Sequence, residues 1–209
     1  MTLSRTACAI LSIVVVAGIL VIFLFVRPRM VPFRSENNPT LLQFQGDGEA
    51  FALAQPLHYL IKRTGEKIVV PAGFVTDYAS VPWVLRSIIS PLGRHSVPAI
   101  VHDYLYWTQD CSRLQSDLIL YEAMTEYRSS WWEKALVYRA VRIGAGAAWS
   151  GNAAERQRGL PRVVPSENGQ IDIPPNAEWN SFRQQLFDKG VRAEPPGKSS
   201  KRPAYCTEQ

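Results

Sequence analysis

The sequence predicts an α+β domain: a short β-hairpin and strands, then a mainly helical segment, preceded by one transmembrane helix. Three observations predict it. Ala7 to Val26 is an almost uninterrupted apolar run, Leu57 to Val70 holds two short apolar runs around a Gly-containing turn, and apolar residues recur at helical spacing from Ser80 to Trp149. Hydrophobic content of 46% and charged content of 20% place the chain among folded proteins, with enough length for one real core plus extensions.

The organisation follows in chain order. Residues 1–6 are a short tail, and residues 7–26 a membrane anchor. At about 1.5 Å rise per residue, roughly 20 residues cross a hydrocarbon core about 30 Å thick. The small residues Val15-Val16-Ala17 resemble a cleavage site, but the apolar run continues to Val26, longer than a signal core. The anchor places the protein as single-pass, in a bacterial inner membrane. Arg27, Arg29 and Arg34 follow the span while Arg5 precedes it, so the positive-inside rule leans toward a cytoplasmic C-terminal domain.

Residues 27–41 read as a linker containing Pro32 and Pro39, and residues 42–151 as the globular domain. Within it, Leu57–Ile61 and Ile68–Val70 pair across Gly65, and Pro71 ends the hairpin. Ser80 caps a helix with Pro82 in its first turn, and Ser96 caps a second that buries Val97, Ile100, Val101, Tyr104 and Leu105. Ser112-x-x-Gln115 has capping-box form and opens a third, with Leu114, Leu118, Tyr121 and Met124 as its apolar stripe. A fourth spans Trp131 to about Trp149, weakened by Gly144 and Gly146. Residues 152–209 form a Pro-rich tail with a short helix near 177–188, where Trp179, Phe182 and Leu186 share a face. Cys8 falls in the span, and Cys111 and Cys206 read as reduced or incidental thiols.

The candidate chemistry lies in Asp77, His102, Asp103 and Asp117. Asp117 sits among apolar stripe residues, and a buried carboxylate is costly unless a cation, metal or donor satisfies it. His102 and Asp103 are neighbours on one helix, separated by about 100° around its axis. Antiparallel packing of the two helices brings Asp117 to His102 or Asp103, and the loop ending in Thr76-Asp77 closes over the same spot. Such a cluster is either a buried hydrogen-bond network, a site for a divalent metal ion held by His102, Asp103 and Asp117 (zinc, manganese or iron), or metal-free acid–base machinery. Ser80 with His102 and an Asp spells a hydrolase triad, but no Gly-x-Ser-x-Gly elbow surrounds Ser80 and a helix cap accounts for it. His95 reads as a loop or first-turn residue, His58 as part of the hairpin, and Trp131-Trp132 as helix packing or contact with a membrane surface. The net charge of +5 carries no dense basic stripe with interleaved aromatics, which argues against nucleic acid as a partner.

Val70-Pro-Ala-Gly-Phe-Val-Thr-Asp77, Ala79-Ser-Val-Pro82, Gly93, His102-Asp-Tyr-Leu-Tyr106, Asp117 and Tyr138-x-x-Val141-Arg142 occur in one order. That set resembles a phage and bacterial domain-of-unknown-function family, number 1353, over roughly Phe51 to Trp149. The resemblance implies that Asp77, Ser80, His102, Asp103 and Asp117 occupy the family's polar motif positions, and it supplies no mechanism. Its anchor and tail set this chain apart from the family's usual small soluble form. The sequence thus leads to a membrane-anchored, phage-derived or envelope-associated domain with a His/Asp cluster. A metal-dependent hydrolase of an envelope substrate, and a scaffold whose C-terminal tail recruits a protein partner, are the alternatives.

Overall fold

A computed structural model of the chain describes residues 39–77, 95–193 and 203–207. All of them belong to one compact unit, Ser35–Gln209. Among the described residues no helix is long and apolar enough to cross a membrane. The expected span at 7–26 and the expected helix from Ser80 lie outside them.

Small antiparallel sheets come first and helices follow. Strands β1 (Leu41–Gln43), β2 (Phe51–Leu53) and β5 (Val75–Thr76) form a three-stranded sheet in the order β1-β2-β5. Strands β3 (Leu57–Leu60) and β4 (Lys67–Val70) form the expected hairpin, with Leu57 opposite Val70 and Tyr59 opposite Ile68. Its burial alternates with period two: Leu57, Tyr59, Ile68 and Val70 point into the core, while His58, Leu60, Lys67 and Val69 face solvent. A last two-stranded ribbon joins β6 (Ser166–Glu167) to β7 (Gln170–Ile171).

The described helices are α1 (Ser96–Thr108), α2 (Arg113–Glu126), α3 (Trp131–Gly144), α4 (Gly146–Gln157) and α5 (Trp179–Asp188). The capping box expected at Ser112 forms: the Gln115 amide N–H donates to the Ser112 hydroxyl, and the Gln115 side chain accepts from the Ser112 amide. Ser130 and Glu133 build a second box that opens α3. The long helix expected to reach Trp149 breaks at Ala145, between the two glycines, and restarts as α4 through Gly151 to Gln157. Helix α1 buries Val97, Ile100, Val101 and Leu105 as expected, but Tyr104 is only half-buried and the N-cap is His95, not Ser96.

Helix α2 is turned the other way. Its buried face carries Ser116, Asp117, Ile119, Leu120, Ala123 and Met124, whereas Leu114, Leu118 and Tyr121 are exposed. Two apolar stripes compete on this helix, and the one containing Ile119 and Leu120 packs against α1 and α3. Asp117 is nevertheless fully buried, because it shares a face with Leu120 and Met124, three and seven residues on.

After α4 the chain returns to the sheet. Val75 N–H donates to the Arg162 carbonyl at 2.9 Å, and Phe74 bridges Val163. Trp179 and Phe182 of α5 then pack on Phe44, with ring centroids 5.4 and 5.9 Å apart. Cys206, in a short 3-10 turn (Ala204–Cys206), is disulfide-bonded to Cys111 at the start of α2. The expectation of reduced cysteines is therefore corrected; spacing alone could not foresee that the chain's end returns to the core.

Gly73 explains one glycine of the sequence motif. It has φ +78°, and its carbonyl accepts from Val164 N–H at 2.8 Å. A Cβ there would stand 2.0 Å from the Val164 carbonyl oxygen. The Gly73→Ala substitution should lower unfolding free energy by about 3 kcal/mol or more, combining positive-φ strain with a backbone clash. Urea denaturation of the full chain checks this, and an unchanged midpoint would contradict the close approach.

Candidate functional site

The residues expected to form one cluster separate into two centres, one on each side of α1. His102 and Asp103 are adjacent in sequence and project in different directions, so each joins a different set of partners.

The first centre is sealed. Asp117 Oδ1 lies 2.8 Å from His102 Nε2 and accepts the Tyr106 hydroxyl at 2.7 Å, while Oδ2 accepts from the Arg142 guanidinium at 2.5 Å. The positions follow from helix spacing: His102 and Tyr106 are four residues apart on α1 and reach the same carboxylate from α2, with Arg142 entering from the end of α3. Burial by itself would raise the Asp117 pKa. The hydrogen bonds and charge of His102, with those of Tyr106 and Arg142, outweigh it and hold the carboxyl below its ordinary value. An ionised carboxylate only accepts, so His102 Nε2 carries the proton and donates. Tyr106 is correspondingly pushed up, first by burial and then by its bond to Asp117. The Tyr106 ring lies against His102 at 4.1 Å and meets Trp149 edge-on at 5.0 Å. This arrangement fixes helices α1, α2 and α3 to one another and leaves the Asp117 carboxylate with no exposed surface.

The second centre is open. Thr76 at the end of β5 donates its hydroxyl to Asp103 in a short hydrogen bond. Beside it, Asp77, Asp103, Ala148, Gly151, Asn152, Glu155 and Arg162 line a cleft of about 160 Å³. Arg162 is the pivot: it donates to the Val75 carbonyl at 3.0 Å, to Asn152 at 3.2 Å and to Asp77 at 2.7 Å. Burial disfavours its charge, but Asp77, Asp103 and Glu155 more than compensate and raise its pKa. Arg183 pairs with Glu155 at 2.8 Å and bonds the Pro161 carbonyl. Arg156, Arg162 and Arg183 all stand over the Trp107 ring, between 5.6 and 5.8 Å from its centroid. The aromatic ring thus backs a wall of buried cations whose carboxylate partners Asp77 and Glu155 reach the cleft.

The expected convergence of His102, Asp103 and Asp117 on a metal ion does not form. Among the described residues no group of three His, Cys, Asp or Glu side chains is arranged to hold one. The reason is the 100° step between His102 and Asp103, which sends Asp103 to Thr76. Asp77 likewise closes on Arg162 instead of on His102. Ser80 lies outside the described residues. His95 is buried at the N-cap of α1, with Nδ1 3.2 Å from the Ser129 hydroxyl and Nε2 3.6 Å from Glu133. His58 lies on the exposed face of the hairpin.

Tyr106, four residues after His102 on the same helix, carried a spacing signal for its role, whereas Arg142 carried only its place in the Tyr138-x-x-Val141-Arg142 pattern. Asn152, Glu155 and Arg162 carried no such signal, because only the return of the chain past α4 brings them to Asp77. Replacing Asp117 with Ala should lower unfolding free energy by about 3–5 kcal/mol, since it strands the Arg142 and His102 donors. Because the Asp117 pKa is depressed in the folded state, its stabilisation is present above the unfolded value of about 4 and is lost as pH falls through the lower folded value. Urea midpoints between pH 2 and 7 should show this acid loss in the native protein and a smaller one in Asp117→Asn; equal slopes would contradict it.

No curated protein and no solved structure matches the chain. Residues 51–141 match the family described as "Protein of unknown function (DUF1353)". That span contains His102, Tyr106, Asp117, Asp77 and Asp103, ends one residue before Arg142, and excludes the far wall of the cleft at Asn152, Glu155 and Arg162. The chain carries a DUF1353 domain over residues 51–141.

Proposed function

We propose that the protein is a membrane-tethered domain on the extracytoplasmic face of a bacterial inner membrane, where its cleft binds a small polar envelope molecule bearing hydroxyl or ammonium groups. The cleft carries this reading. Asp77, Asp103, Asn152 and Glu155 present hydrogen-bond acceptors around a cavity of about 160 Å³, while the His102–Asp117 centre is closed. Pockets for drug-sized ligands run from about 300 Å³ upward, so this one suits a single sugar or amino-acid unit. Pairing with Arg162 and Arg183 offsets the charge of Asp77 and Glu155, so the cleft offers oriented acceptors instead of bare negative charge.

The tether is the apolar run 7–26, followed by the linker 27–41. The Cys111–Cys206 disulfide, which spans a sequence separation of 95 and is of a kind that persists in oxidising compartments, supports the extracytoplasmic orientation. This reverses the lean of Arg27, Arg29 and Arg34, a margin of few charges. Hydrolysis of the bound molecule is the second reading. Asp103 favours it: its carboxylate lines the cleft and accepts from Thr76, and it would serve as the base for an attacking water.

Titration calorimetry of the full chain with glucosamine and with D-alanine tests the cleft. Saturable binding of either is expected, weakened about tenfold by Asn152→Leu. No saturable binding of either molecule would sink the proposal. In cells quenched with acid and then denatured, Cys111 and Cys206 should resist maleimide labelling until reduced; free thiols under those conditions would place the domain in a reducing compartment.

A further inference from the structure

The outer face of α3 is the strongest feature that neither centre uses. Trp132, Leu136, Arg139 and Ile143 follow one another at i, i+4, i+7 and i+11, so they form a single stripe. All are exposed, Trp132 at 47% and Ile143 at 87%, and Trp131 beside them is 78% exposed. Helix packing therefore does not account for the tryptophan pair. Across the Tyr121–Tyr138 ring contact, α2 adds Leu114 and Leu118, both exposed, to the same side of the molecule.

Among the described residues of α2 and α3, the exposed charges beside this face are basic. Arg139 is exposed within the stripe and Lys134 flanks it, while the Arg142 guanidinium is held inward by Asp117. Glu133, the acidic residue of α3, is buried in its capping box. Asp117 is buried in the sealed centre, and the other two acids of α2 turn toward the hairpin, Glu122 pairing with Arg63 at 3.7 Å and Glu126 standing beside Tyr59.

We propose that this face of α3 docks on the surface of an anionic lipid bilayer, with Trp131, Trp132, Leu136 and Ile143 in the interfacial layer and Arg139 on lipid phosphate. A helix with tryptophans and aliphatics along one face and basic residues at its edge has the composition of an interfacial helix. Tryptophan settles at headgroup level, where its ring is half apolar and its N–H stays solvated. A basic residue near an anionic surface adds to the attraction. The proposal rests on the tethered reading in one respect. The apolar run 7–26 and a linker of residues 27–41 would keep this face within reach of the bilayer. Docking would then fix which way the cleft faces.

The test uses the full chain with vesicles of phosphatidylcholine alone or mixed with phosphatidylglycerol, each made with and without bromine on the acyl chains. Brominated lipid should quench tryptophan emission more in the native chain than in Trp131→Phe/Trp132→Phe. The difference should grow with phosphatidylglycerol and shrink in Arg139→Glu. Equal quenching of the native chain and the double variant overturns the proposal. So does a dimer in sedimentation that shields these tryptophans without lipid quenching. Carbonate extraction of the same vesicles reads the tether separately. A chain that is extracted yet quenched before extraction keeps the docking face and removes the anchor; a retained chain with no difference in quenching does the reverse.

Discussion

A carboxylate with no exposed surface imposes conditions on everything around it. Asp117 satisfies them with three donors from two other helices: His102 and Tyr106 of α1, and Arg142 of α3. Each donor has to arrive in register, so the network selects how α1, α2 and α3 sit against one another more sharply than apolar packing would. Leu120, Met124, Val137 and Val141 fill the space beside it. Without the donors the carboxylate would have to take up a proton or the helices separate.

That constraint clarifies why two neighbouring motif residues have different work. With His102 committed inward to Asp117, helix geometry places Asp103 on the side of β5, where Thr76 meets it. The strand end that delivers Thr76 also delivers Asp77 to Arg162. A rigid, sealed bond network and an open polar cleft thus share one helix. The sealed centre sets the register of the helix that carries Asp103, while Asp77 is placed by β5 and by its pairing with Arg162.

Local features were legible in the sequence. The hairpin around Gly65, the capping box at Ser112, the buried side of α1 and the amphipathic pattern of Trp179, Phe182 and Leu186 all follow from short-range periodicity and turn chemistry. Asp117 was recognisable as a costly carboxylate, although its helix presents the opposite apolar stripe to solvent. On α2 both stripes are apolar, so periodicity could not choose between them; the donors on α1 and α3 choose. Contacts between distant segments were not legible. Cys111 meets Cys206 across 95 residues, and Arg162 reaches Asp77 only because the chain doubles back beside β5. No local pattern encodes either.

Backbone hydrogen exchange across α1 and α2, compared among the native chain, Asp103→Asn and Asp117→Asn, tests most directly whether one residue holds the fold and the other serves the cleft. Protection should be lost throughout both helices in Asp117→Asn, with changes confined to the end of β5 and the adjoining turn of α1 in Asp103→Asn. Equal, widespread loss in both variants would contradict the division into a structural network and an open polar cleft.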